Sequence, residues 1–262
     1  NWFDDRSWYP LGRVVGGTIY PGLMMTTAFI YKSIQFLGIT VNIRDMCVFL
    51  APLFSSLTAI ATYLLTVEVT QKSATGLLAA SFMAVVPSYV SRSVGGSYDN
   101  EGVAIFALII CFYLWVKAVN TGSLYWSCCC ALSYFYMVAA WGGYVFITNI
   151  IPIHVCILVF SGRYSARLYS AYSIYYSMGS LMAMTVPFVG FNTLTQAESA
   201  ASHGVFIMLQ IIVLVSALRT VLNKDTMRWL VMLVGCAGVI VIAGYLVMLQ
   251  VSGRLQWSGM IR

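Results

Sequence analysis

Apolar residues run along this chain in long blocks joined by short polar links, without the strict alternation of a barrel strand. The first block free of charge, Met46 to Val67, is long enough to cross a bilayer as a helix. A polar turn, Glu68 to Ser73, separates it from a second predicted span at Gly76 to Val90, short but extendable through its flanks. Six more spans are predicted: Gly102 to Lys117, Leu124 to Ala140, Gly142 to Phe160, Tyr169 to Phe191, Gly204 to Leu218 and Leu230 to Val251. Trp141-Gly142-Gly143 forms the tight turn between two of them. The expected fold class is an all-α polytopic membrane bundle of about eight spans. No repeat, low-complexity run or soluble linker divides residues 46–262, so they are expected to form one domain.

Residues 1–45 read differently. Asn1 to Arg13 is charged, aromatic and proline-containing, as suits a water–membrane boundary. Val14 to Leu37 is apolar, but Gly16-Gly17, Pro21-Gly22 and Lys32 interrupt it. A charge in the middle of a span costs at least about 2.5–3.5 kcal/mol. The segment is therefore expected to be a shallow interfacial helical hairpin.

Composition strengthens the membrane reading. Hydrophobic residues make up 60% of the chain and charged residues 8%, against about 25% charged in a soluble domain. The mean hydropathy is +0.86. In hydrocarbon every backbone polar group needs an internal partner, which leaves helices once the barrel is excluded. The net charge of +6 does not indicate nucleic acid, because the basic residues are scattered in short loops without interleaved aromatics. The seven cysteines lie inside apolar runs without metal-ligand spacing and read as small core residues. Asn1 follows no signal-peptide pattern, and the stretch from Gln256 to Arg262 ends without punctuation. Both ends are expected to be internal to a longer polypeptide.

Against this background Ser91-Arg92-Ser93-Val94-Gly95-Gly96-Ser97-Tyr98-Asp99-Asn100-Glu101 stands out, because only eight acidic residues occur in the chain and two lie here. Lys72, Lys117, Arg163, Arg167, Arg219, Lys224 and Arg228 fall in links on one side, and Arg92, Arg254 and Arg262 on the other. The first side is expected to be cytosolic, which places Asp99 and Glu101 on the opposite face. Residues two apart point the same way only on extended backbone. Presented from a glycine-containing loop, the two carboxylates suit a hard divalent cation that takes oxygen ligands. A second reading stays open: Asp99 or Asn100 caps the following helix and Glu101 complements its dipole. Arg92 is either a phosphate-binding fork or a snorkelling interfacial arginine.

The remaining polar residues carry weaker signals. Asp4, Asp5 and Arg6 read as an exposed ion-pair cluster. His154 reads as a satisfied interior residue, and His203 as solvated or interfacial. The tyrosines and methionines of Tyr164 to Met184 suit helix packing and interface anchoring. No glycine-rich phosphate motif, Ser/His/Asp arrangement or His/Cys ligand cluster occurs.

Several stretches resemble the catalytic subunit of eukaryotic oligosaccharyltransferase. They are Asn1-Trp2-Phe3-Asp4-Asp5-Arg6 with Trp8-Tyr9-Pro10-Leu11-Gly12-Arg13, Gly17-Thr18-Ile19-Tyr20-Pro21-Gly22-Leu23, Val48-Phe49-Leu50-Ala51-Pro52, the loop Ser91 to Glu101, and Ala140-Trp141-Gly142-Gly143-Tyr144-Val145-Phe146. They occur in the family's order, and the likeness continues through Pro187-Phe188-Val189-Gly190-Phe191.

The resemblance implies a GT-C-type glycosyltransferase in the endoplasmic reticulum membrane, with its active-site loops lumenal. It implies transfer of an oligosaccharide from dolichyl pyrophosphate to the asparagine amide of an Asn-x-Ser/Thr sequon in an acceptor polypeptide. It also implies Mn²⁺ or Mg²⁺ as cofactor and other oligosaccharyltransferase subunits as partners. Asp99 and Glu101 match the family's second acidic motif, whose carboxylates bind the metal, and residues 1–45 match part of the first lumenal loop. The family's first acidic motif has no copy here. Its third acidic residue and Trp-Trp-Asp-Tyr-Gly acceptor motif belong beyond Arg262, so this piece is expected to be inactive by itself. Without the resemblance, a transporter or lipid carrier and a non-catalytic scaffold subunit remain alternatives.

Overall fold

A computed structural model describes residues 3–16 and 18–221. The chain opens with a two-residue antiparallel pair, β1 (Phe3–Asp4) and β2 (Arg13–Val14). Helices follow in the order α1 (Gly22–Phe36), α2 (Ile43–Thr70), α3 (Ser73–Val85), α4 (Pro87–Val90), α5 (Asn100–Thr121), α6 (Leu124–Ala140), α7 (Tyr144–Phe160), α8 (Ala166–Ala183), α9 (Asn192–Thr195) and α10 (Ala200–Val221). Contacts divide the chain into Asn1–Phe206 and Ile207–Arg262. The described part of the second unit is the continuation of α10.

In the first unit α5 is the central element, packed between α2 and α6, while α3 folds back along α2 and α8 covers α6. Small side chains make this possible. Ala104, Ala107, Cys111 and Ala118 of α5 are fully buried, as are Cys130, Ala131 and Ala140 of α6. Such residues let helix backbones approach where lipid removes any hydrophobic drive for association. Large apolar residues instead face outward, among them Phe49 and Ile60 of α2 and Leu77 and Phe82 of α3.

Among the described residues three helical stretches are long and apolar enough to cross a membrane: Ile43–Thr70, Asn100–Thr121 and Ala197–Arg219. The chain is a multi-pass membrane protein. Helices α6 and α7, at 17 residues each, reach about 25 Å, the short end of the spanning range. The predicted span at Leu230 to Val251 lies outside the described residues.

Helix boundaries depart from the apolar pattern where a side chain supplies what the pattern lacks. Helix α2 continues through Glu68, whose Oε1 accepts from Asn120 Nδ2 of α5 at 3.0 Å, and ends at Gln71 in the left-handed region. Helix α5 continues past Lys117, whose Nζ donates to Tyr113 Oη at 2.6 Å and lies 4.2 Å from the centre of the Trp126 ring. Prolines shorten other elements. The predicted span Gly76 to Val90 breaks at Val86, which is extended before Pro87, as pre-proline sterics require. The span predicted to reach Phe191 stops at Ala183, shortly before Pro187.

The N-terminal segment also differs from expectation. In place of a helical hairpin there is one helix, α1, preceded by the strand pair. Its 15 residues give about 22 Å of rise, less than a bilayer core of about 30 Å.

Candidate active site

Helix α5 has two chemically different ends. At its C-terminal end Asn120 bonds Glu68 of α2 and accepts, through its carbonyl, from Arg167 Nη1 of α8 at 3.2 Å. Lys72, Lys117 and Arg167 belong to this end. At its N-terminal end, 22 residues and about 33 Å away, lies the acidic loop.

The short helix α4 before the loop is fastened to α2 by one contact, and the loop itself to α2 and α1 by two more. Thr58 Oγ1 of α2 donates to Phe54 O and so receives its second hydrogen bond from Tyr89 Oη of α4 at 2.7 Å. Gly96 adopts φ +93°, a region that only glycine enters freely. Its N–H donates to Val48 O at 3.0 Å. That carbonyl is available because the residue four positions on in α2 is Pro52, which has no N–H to give. Finally, Thr27 Oγ1 of α1 donates to Leu23 O and receives Tyr98 Oη at 2.8 Å. Burial raises the Tyr98 pKa, so the donated proton is retained.

These contacts deliver Asp99 as the extended N-cap of α5, exposed, with Oδ1 accepting from Asn100 N–H at 2.7 Å. Glu101 lies in the first helical turn, and its Oε2 is 2.9 Å from Arg92 Nη1. All three sequence-derived site residues, Arg92, Asp99 and Glu101, thus gather at one helix terminus. Both capping and charge pairing occur there. Among the described residues Asp99 Oδ2 and Glu101 Oε1 bond no protein group. Asp99 is extended but Glu101 is already helical, so the pair departs from the fully extended backbone that the i, i+2 spacing called for; each carboxylate nevertheless keeps an uncommitted oxygen of the kind a hard divalent cation takes. Among the described residues no cluster of three His, Cys, Asp or Glu side chains could complete a ligand set.

The other candidates sort themselves plainly. His154 Nδ1 accepts from Trp115 Nε1 at 3.2 Å, the satisfied interior role expected of it. His203 is enclosed instead of solvated: Nδ1 lies 2.7 Å from Tyr176 Oη, and Nε2 is buried beside a small cavity lined by Tyr134, Thr148, Ser180 and Thr193. The ion-pair cluster expected of Asp4, Asp5 and Arg6 does not form among the described residues. Asp4 instead accepts from Ser7 Oγ at 2.7 Å and Arg6 N–H at 3.0 Å, a local turn that uses both its oxygens. Cys111 and Cys130 are buried core thiols.

Residues 1–261 match the family described as Oligosaccharyl transferase STT3, N-terminal. The chain belongs to that family. It is 56% identical over 225 residues to the Caenorhabditis elegans dolichyl-diphosphooligosaccharide–protein glycosyltransferase subunit stt-3, covering 86% of this chain and 30% of the relative. It is 57% identical over 213 residues to the Saccharomyces cerevisiae subunit STT3, covering 81% and 30%. The chain spans about a third of the length of the curated relatives it matches. Among solved structures, the Archaeoglobus fulgidus oligosaccharyltransferase in complex with Zn and sulfate superposes with a TM-score of 0.68 at 18% identity, covering 95% of this chain and 34% of that one. The oligosaccharyltransferase AglB from Archaeoglobus fulgidus, with an inhibitory peptide and a dolichol-phosphate, gives 0.67 at 18% identity, covering 98% and 33%. The chain thus has the GT-C membrane fold of these proteins.

Sequence reasoning did not single out Thr27, Pro52 or Tyr98. Pro52, four residues after Val48 within an apolar run, was the available signal. Thr27 carried none, since its partner lies 71 positions away.

Proposed function

We propose that this chain carries one acidic arm of the active site of an oligosaccharyltransferase. The whole protein transfers an oligosaccharide from dolichyl pyrophosphate to the side-chain amide of asparagine in Asn-x-Ser/Thr sequons. The observation that carries the reading is the meeting of Asp99, Glu101 and Arg92 at the N-terminus of α5, in a chain of the STT3 family. The archaeal neighbours support the substrate classes, since one holds an acceptor peptide with an NVT sequon and another a dolichol-phosphate. The zinc-and-sulfate complex of the archaeal enzyme supports a metal-dependent site.

In the reaction the amide nitrogen bonds the sugar's anomeric carbon from the face opposite the pyrophosphate. The carbon–oxygen bond to the pyrophosphate breaks with its electron pair leaving on the pyrophosphate, and the amide proton passes to water. Asp99 and Glu101 would hold Mn²⁺ or Mg²⁺, which neutralises charge on the departing pyrophosphate when bound. Arg92 turns its planar fork from Glu101 to a phosphate oxygen as the donor arrives. The carboxylates also orient the weakly nucleophilic amide. Residues 1–45 form part of a lumenal loop, and the α5 N-terminus faces the endoplasmic reticulum lumen, consistent with the basic residues at the other end. Other oligosaccharyltransferase subunits complete the assembly.

The reading is tested by Asp99→Asn and Glu101→Gln in the full-length protein, assayed for glycan transfer to a sequon peptide with membrane insertion checked in parallel. Loss of transfer with intact insertion is expected. Full activity in both variants would leave these acids as helix caps and support a scaffold role.

A further inference from the structure

We infer that Thr27 and Pro52 are positioning residues that fix the acid pair for its cation, an inference that rests on the function proposed above. Asp99 uses its capping bond on the adjacent Asn100 N–H, which ties the carboxylate to the α5 terminus but leaves the preceding loop unfastened. The loop that leads into Asp99 is held from outside α5. Gly96, three residues before Asp99, is bonded to the Val48 carbonyl of α2, and Tyr98, immediately before it, is bonded to Thr27 of α1. The loop is therefore fastened at two points to two other helices.

Each fastening has a specific chemical origin. Pro52 acts by omission: a residue with an N–H at position 52 would claim Val48 O through the ordinary helical bond and compete with Gly96. Thr27 acts by polarity: its single proton is spent on Leu23 O, which makes its oxygen an acceptor for Tyr98. Helix α1 is itself held in place. Thr26 Oγ1 donates to Gly22 O and receives Tyr136 Oη of α6 at 2.8 Å. Gly22 lies against α6, where an added Cβ would meet the Ala139 and Ala140 backbone at 2.7 Å. A chain of contacts thus runs from α6 through α1 to Tyr98 and Asp99.

The test uses the full-length protein in its native complex, with Mn²⁺ as probe. Binding is followed by electron paramagnetic resonance, and amide exchange is followed over residues 95–99. Thr27→Val removes the hydroxyl at nearly constant volume, Tyr98→Phe removes its partner, and Pro52→Ala restores the competing N–H. Each is expected to weaken Mn²⁺ binding roughly 3- to 10-fold, the size of one lost hydrogen bond, and to speed exchange over 95–99. Thr27→Ser is expected to restore both. Mere destabilisation would lower the fraction of protein that binds without changing the affinity of the rest. If Asp99→Asn and Glu101→Gln leave Mn²⁺ binding intact, the acid-pair reading fails and the inference falls with it. If those two abolish binding while Thr27→Val and Pro52→Ala bind as the wild type does, the positioning inference alone is overturned.

Discussion

Arg92 Nη1 lies 2.9 Å from Glu101 Oε2, joining the start of the acidic loop to the first turn of α5. The arginine side chain is 55% exposed and the glutamate 26%, so the pair contributes at most about 1 kcal/mol to stability. A contact this weak is well suited to exchange. Replacing Arg92 with Gln frees Glu101 and should tighten Mn²⁺ binding about 2- to 5-fold, while the KM for the lipid-linked donor rises. Weaker Mn²⁺ binding in Arg92→Gln would show that the arginine supports the cation site instead of competing with it.

Gly22 allows α1 to touch the α6 backbone. Gly22→Val would place a Cβ 2.7 Å from Ala139 and Ala140, and overpacking of that kind costs about 1–3 kcal/mol. Since α1 carries Thr26 and Thr27, its displacement should release Tyr136 and Tyr98 together. Amide exchange should rise over 22–36 and over 95–99. A rise confined to 22–36 would show that α1 and the acidic loop move independently.

At the far end of α5, Asn120 links Glu68 and Arg167. Glu68→Ala removes a surface hydrogen bond worth about 1 kcal/mol. It should lower the thermal midpoint slightly while leaving Mn²⁺ affinity unchanged, because about 33 Å of helix separates it from the acids. Differential scanning fluorimetry beside the Mn²⁺ titration checks both.

Hydrogen bonds from the Ser7 hydroxyl, and then from Arg6 N–H, hold the Asp4 carboxyl below its ordinary value of 3.8. A depressed folded-state pKa means that this bonding is fully present above 3.8 and is lost as pH falls through the lower folded value. The turn over 4–7 should therefore open in acid, and Ser7→Ala should open it at a higher pH. Carboxyl titration of Asp4 by NMR reads both; an unchanged midpoint in Ser7→Ala would contradict the assignment.

The helical blocks were legible in the sequence because a bilayer forces apolar residues into long runs, so α2, α5, α6, α7 and α10 lie where those runs do. Boundaries were less legible. Glu68 and Lys117 read as ends of spans, yet Asn120, Tyr113 and Trp126 satisfy them within continuing helices, and those partners are set by packing. Within the candidate site, the scarcity of acids exposed Asp99 and Glu101. Their place just before an apolar run also pointed to Asp99 as a cap of α5, and it is one, but nothing in the spacing revealed that Arg92 holds Glu101. Thr27 and Tyr98 are 71 positions apart, and no local pattern joins them. Pro52 was visible, but its effect depends on where Gly96 lands.

Asp99 and Glu101 together are proposed to hold a divalent cation. An experimental structure of the full-length protein with Mn²⁺, phased for anomalous signal at the manganese edge, tests it most directly. One peak is expected within about 2.0–2.6 Å of a carboxylate oxygen from each residue, with Arg92 withdrawn from Glu101. A peak ligated elsewhere, with Asp99 still capping α5 and Arg92 still on Glu101, would contradict it.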